Sequence, residues 1–181
     1  KLIMSTYRKI HGRSIQAVAT DPSGTVSEGQ IWYNTNSDTF KSVVAIEAWT
    51  SGAALISGRA SAGGAGIQTA ALMCGGYTTA GVASTEEYGG SSWTAGGDLN
   101  TGRYALRSAG TQTAALAFGG YMPPGYVTVT ESYNGTSWTN TPALNTGRSS
   151  GSPAGTSTAA LYAGGGIPGT INNSEEYDGS S

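Results

Sequence analysis

Beyond residue 45 the apolar positions of this chain come in short bursts with polar and glycine-rich stretches between them. Thr69-Ala70-Ala71-Leu72, Thr113-Ala114-Ala115-Leu116 and Thr158-Ala159-Ala160-Leu161 each run on into an apolar pair. Each is then cut by a double glycine: Gly75-Gly76, Gly119-Gly120 and Gly164-Gly165. Bursts this short suit a strand and not a stable helix, and a double glycine breaks a helix and admits positive φ. A second strand is predicted at Glu86-Glu87-Tyr88, Glu131-Ser132-Tyr133 and Glu175-Glu176-Tyr177. A turn carrying Gly90, Gly135 or Gly179 follows it. In Tyr133-Asn134-Gly135-Thr136-Ser137-Trp138 this is the Asn-Gly turn of a tight hairpin leading into a third strand. The segment that begins Arg103-Tyr104-Ala105-Leu106 is expected to start a fourth.

The pattern is a repeat. Trp49, Trp93 and Trp138 are spaced by 44 and 45 positions. Leu55, Leu99 and Leu144 keep step with them, as do Arg59, Arg103 and Arg148. The units are about 46–91, 92–136 and 137–181, and four short strands in each is the content of one propeller blade. Double glycine, then a Tyr, then a Trp shortly beyond it resembles the kelch repeat. That resemblance covers residues 46–181 and implies that the glycines end a strand while the Tyr and Trp pack within and between blades. The expected fold class is therefore all-β: three kelch-like blades of an incomplete propeller, each a four-stranded antiparallel sheet. Trp93, Trp138, Tyr88 and Tyr133 are expected to be largely buried. Three blades leave open sheet edges, which invite pairing with another chain. The sequence ends where a fourth Trp is due, so the expectation is a fragment of a longer chain or a protomer whose edges pair with neighbours.

Residues 1–45 do not follow the repeat. Met4-Ser5 reads as a natural start, Asp21-Pro22-Ser23-Gly24 as a turn, and Gln30–Asn34 with Thr39–Val44 as a β-hairpin. Glu28-Gly29-Gln30-Ile31-Trp32-Tyr33-Asn34-Thr35 with Thr39-Phe40-Lys41 resembles a segment common in tailed-phage virion and tail-fibre proteins. Ser5-Thr6-Tyr7-Arg8-Lys9-Ile10 with Thr20-Asp21-Pro22 resembles structural proteins of marine cyanophages that carry kelch-like repeats after it. The resemblance implies a virion component whose N-terminal module docks to other virion proteins, located on the particle surface or tail.

Composition narrows the chemistry. Charged residues are 11% of the chain and the formal net charge is −2, so no basic patch exists to neutralise phosphates and nucleic acid is not an expected partner. Nor is membrane insertion: no stretch approaches the ~20 apolar residues of a span, and the first ten residues lack the apolar core of a secretory signal. Cys74 and His11 are the only cysteine and histidine. Neither an intrachain disulfide nor a zinc or copper site of the usual ligands can be assembled from them. Cys74 lies in an apolar run and reads as a core residue; His11 sits among basic residues and is a poor triad member. No cofactor, no metal and no enzymatic activity are expected. Gly63-Gly64-Ala65-Gly66 lacks the Lys-Ser/Thr ending of a phosphate loop and reads as a turn.

Two sets of residues stand out. Glu86, Glu131 and Glu175 recur once per unit, as do Arg59, Arg103 and Arg148. A metal ring or an acid–base pair is one reading; the better one is an Arg–Glu pair or a Glu–backbone contact in each unit, because an unpaired buried charge is costly. The segments after the double glycines, Tyr77–Ser84, Tyr121–Val129 and Gly166–Asn173, differ although their flanks nearly repeat. Tyr77, Tyr121, Met122, Pro123 and Tyr126 are the candidate ligand-contacting residues there; drift in unconstrained loops is the other reading. The function expected is a non-enzymatic virion structural protein, a fibre or surface appendage displaying loops toward a host-surface glycan or protein or toward neighbouring virion proteins. The alternative is a cellular kelch-type protein-binding adaptor.

Overall fold

The computed structural model describes residues 16–21, 31–42 and 49–179. Sixteen strands and no helix occur among the described residues. The chain divides into two compact units, Lys1–Ser51 and Gly52–Ser181.

In the first unit, β2 (Ile31–Asn34) and β3 (Thr39–Ser42) form the antiparallel hairpin, and β1 (Gln16–Val18) lies parallel to β2 on its other side. The parallel strand had no signal in the sequence. Asp21 holds the unit together. Its carboxylate accepts from Trp32 Nε1 at 3.1 Å, Asn34 Nδ2 at 2.7 Å and Lys41 Nζ at 2.5 Å. These three donors, led by Lys41, pull its pKa down to about 2. The residues Ser5–Ile10, His11, Pro22–Gly24, Glu28–Gln30 and Val43–Val44 lie outside the described set.

The second unit is built from three antiparallel meanders. The first is β4 (Gly63–Ile67), β5 (Ala70–Cys74), β6 (Thr85–Tyr88) and β7 (Trp93–Ala95). The second is β8 (Arg107–Gly110), β9 (Ala115–Phe118), β12 (Thr130–Tyr133) and β13 (Trp138–Thr141), with a small hairpin, β10 (Tyr121–Met122) and β11 (Gly125–Tyr126), between β9 and β12. The third is β14 (Ser152–Gly155), β15 (Ala160–Ala163) and β16 (Ser174–Tyr177). It has three strands, so the expectation of four in every sheet is corrected. Two further corrections concern strand position. The expected Arg103–Leu106 strand begins instead at Arg107, because Ala105 has φ 55° and breaks the extended chain. Gly63–Gly66, read as a turn, lies in β4. The strand needs glycine at Gly63, where a Cβ would stand 2.4 Å from Ser108 Oγ of the next sheet.

Successive sheets are joined through their backbones. Ala105 N donates to Ser61 O at 2.7 Å, and Ser150 N to Ala105 O at 3.0 Å. These three residues occupy one repeat position and all have positive φ, 53–60°. The double glycines add a second tie: Gly76 N donates to Arg103 O at 2.9 Å and Gly120 N to Arg148 O at 2.8 Å. Gly119, at φ 63°, has Arg148 O only 2.6 Å from where a Cβ would lie, so the turn and the close approach both require glycine there.

The middle sheet is buried on both faces, which explains why β9 is apolar at every position. Side chains alternate across a strand. Ala115 and Ala117 enter one core cluster with Leu72, Cys74, Leu99, Leu106, Tyr133 and Trp138. Leu116 and Phe118 enter the other with Ala109, Ala160 and Tyr162. Each large side chain sealed this way contributes roughly 1.5–3 kcal/mol. Of the four aromatics expected to be buried, Tyr133 and Trp138 are 2% and 5% exposed, with ring centroids 4.8 Å apart. Tyr88 and Trp93 stack at 5.1 Å but are half-buried, because no preceding sheet covers them within this unit. Trp93 Nε1 instead donates to Ala53 O at 3.2 Å.

Candidate functional site

Each unit carries one internal ion pair. Arg59 pairs with Glu86, Arg103 with Glu131 and Arg148 with Glu175; the side chains are sealed from solvent apart from a small exposed part of Glu175. Each Glu also accepts backbone N–H groups from the loop ahead of its Arg: Ile56 and Ser57, Asn100 and Thr101, Asn145 and Thr146. Each guanidinium donates in turn to the carbonyl of the first glycine of its pair: Gly75, Gly119 or Gly164. The clip fastens the incoming loop to the strand that ends at the double glycine, so the pair fixes where the following segment leaves the sheet. Burial raises the Glu175 carboxyl, but the Asn145 N–H and the Arg148 guanidinium outweigh it and hold its pKa below the ordinary value.

At the bridges Ala60–Tyr77, Tyr104–Tyr121 and Ser149–Gly166 the three units remain alike in backbone. Ala60 and Tyr77 exchange both hydrogen bonds, at 3.0 and 2.7 Å. Tyr104 and Tyr121 do so at 3.1 and 2.7 Å, and Ser149 and Gly166 at 3.1 and 2.9 Å. The side chains differ. In the first two units the bridges bring Tyr77, Tyr104 and Tyr121 together, with ring centroids 4.9 and 5.4 Å apart. The β10–β11 hairpin, turning at Pro123-Pro124, sets Tyr126 opposite Tyr121 at 5.1 Å. The result is a ribbon of four tyrosines. Tyr77 and Met122 are exposed, and the other three rings are half-buried. Burial first, and then the three neighbouring phenols, raise the Tyr104 pKa.

Of the five candidate contact residues, the structure thus brings Tyr77, Tyr121 and Tyr126 into ring contact, with Met122 and Pro123 on the adjoining hairpin. The residue sequence reasoning missed is Tyr104. Its signal was its place directly after the repeated Arg103, where the other units carry Ala60 and Ser149. Trp49 is fully exposed and falls in the N-terminal compact unit, Lys1–Ser51. Tyr177 packs against the second core cluster.

Elsewhere, Cys74 is buried against Ser108 Oγ at 3.3 Å, and desolvation pushes its thiol up to about 11, so it stays protonated at neutral pH. A cleft of about 230 Å³ opens between the second and third sheets beside Leu116, Phe118, Leu144, Tyr162 and Tyr177. It is smaller than the common range for small-molecule pockets and does not include the tyrosine ribbon. Among the described residues no group of three or more His, Cys, Asp or Glu is placed to hold a metal ion. No family model and no curated protein sequence matches the chain.

Proposed function

We propose that residues 46–181 are kelch-like blades of an incomplete β-propeller, and that the chain is a non-enzymatic structural protein of a tailed-phage virion. In this reading it is a fibre or surface appendage that docks to other virion proteins through residues 1–45 and displays its loops toward a host surface or a neighbouring virion protein. The repeated meanders with adjoining first strands, β4 beside β8 and β8 beside β14, support the blade assignment. The observation that carries the display role is the division of labour after each double glycine. The backbone bridge is the same in all three units, while the side chains on it change from Tyr to Gly. A rigid repeated scaffold with freely varied segments suits recognition. The phage assignment rests on the resemblance of residues 5–41 to virion proteins. It is tested by mass spectrometry of phage particles purified from lysates of the source. Peptides of this chain should co-purify with the other virion proteins at a fixed ratio. Peptides found only in particle-free cell extract would overturn the reading and favour the cellular adaptor.

A further inference from the structure

The geometry points to the ribbon of Tyr77, Tyr104, Tyr121 and Tyr126 as a binding site for a neutral oligosaccharide, an inference that rests on the display reading and names its ligand class. The first support is an internal control. The third unit makes the same backbone bridge with Ser149 and Gly166, so the fold does not need aromatic rings at these positions. The backbone bridge therefore does not require the tyrosines.

The second support is what the hydroxyls do. Tyr88 and Tyr133 donate theirs to Gly90 O and Glu87 Oε1, and Tyr162 accepts on its hydroxyl from Gly151 N. The hydroxyls of the four ribbon tyrosines, like that of Tyr177, have no hydrogen-bond partner among the described residues, and none of them is sealed from solvent. A row of rings with free hydroxyls presents apolar faces and polar tips together. A pyranose ring presents the matching pair, a C–H face and a rim of hydroxyls. Successive rings meet tilted or edge-on, at 52–78°, so the ribbon offers ring edges and partial faces to one sugar ring at a time.

The third support is charge. Segments 77–84 and 121–129 contain no Asp, Glu, Lys, Arg or His, and of the arginines flanking Tyr104, Arg103 is sealed in its pair with Glu131 while Arg107 donates to Gly151 O and Leu106 O. An acidic sugar or a nucleic acid strand needs cationic partners beside the stacking platform. The ribbon offers none.

The test uses the full chain on immobilised panels of neutral and acidic oligosaccharides. It is run beside Tyr104→Ser and Tyr121→Gly, which install the residues of the third unit, and Tyr177→Phe as a control outside the ribbon. Neutral oligosaccharides should bind. Each ribbon substitution should weaken that binding about tenfold or more, with the circular dichroism spectrum preserved, binding read well below each variant's melting temperature, and Tyr177→Phe indistinguishable from the parent. Binding of acidic sugars alone, no binding to either panel, or full binding by Tyr104→Ser would overturn the inference. Tyrosine-dependent glycan binding by a chain absent from phage particles would overturn the virion reading and leave the site standing. Presence in particles without glycan binding would do the reverse.

Discussion

Arg103 and Glu131 stand 28 residues apart in the chain and meet at 2.5 Å, with neither side chain exposed to solvent. Every nitrogen of the guanidinium and both carboxylate oxygens also carry hydrogen bonds. Arg103 donates to Thr101 O, Gly119 O and Ala117 O, and Glu131 accepts from Asn100 N and Thr101 N. Removing one partner strands a charge where water cannot reach it. Glu131→Ala should therefore cost about 3–5 kcal/mol in a urea unfolding experiment. Replacing both residues by apolar side chains of similar volume should cost less than either single truncation. A single substitution that leaves the unfolding midpoint unchanged would show that the clip does not hold the sheet.

The corresponding pair in the third unit sets an acid limit. Glu175 has a folded pKa below the ordinary glutamate value of about 4.3. A depressed carboxylate stabilises the fold above its unfolded pKa, and that contribution is lost as pH falls through the folded one. The Glu175 side-chain carboxyl should therefore titrate below the ordinary glutamate range when followed by carbon-13 NMR. Stability should fall over the same window, and Glu175→Gln should flatten that part of the acid limb.

Trp138 and Trp93 occupy one repeat position with different surroundings. Trp138 is sealed between sheets, and its Nε1 donates to Thr85 Oγ1 at 3.0 Å; Trp93 is half-buried. Trp138→Ala should cost about 3–5 kcal/mol, as deletion of a core aromatic does, and Trp93→Ala clearly less. Differential scanning calorimetry of the two variants reads the difference. Equal losses would mean that Trp93 is covered in solution.

Gly119 and Gly164 offer a matched comparison of backbone strain and crowding. Both sit at positive φ, 63° and 65°. A Cβ at Gly119 would meet Arg148 O at 2.6 Å, whereas at Gly164 the nearest atom is Ile171 O at 3.5 Å. Gly164→Ala should show only the left-handed backbone cost, roughly 1–2 kcal/mol. Gly119→Ala should exceed it, because a backbone oxygen of the next sheet has to move. Denaturation midpoints of the two variants test the order.

By itself, the sequence determined that the second unit is a repeated all-β array. Strand identity is local: Thr-Ala-Ala-Leu bursts, double glycines and the Asn134-Gly135 turn act over a few residues, and spacing alone reveals their recurrence. The partnership of each Arg with a Glu was readable for the same reason, since two opposite charges recurring once per unit among apolar strands need one another. What depends on distant neighbours was decided only by the tertiary structure. The displacement of the first strand from Arg103 to Arg107 follows from Ala105 bonding to Ser61 one unit earlier, a contact no local pattern reports. Gly63 lies in a strand because the chain there pairs with β5, opposite Cys74, which the glycine-rich composition could not distinguish from a turn. Trp93 and Trp138 look alike in the sequence, and burial separates them because only one has a sheet on each side. The tyrosine ribbon joins Tyr77 of one unit to Tyr104 and Tyr121 of the next. Its rings lie about 5 Å apart because a backbone bridge and an inter-sheet approach place them there, and hydrophobic periodicity within a single strand carries no information about either.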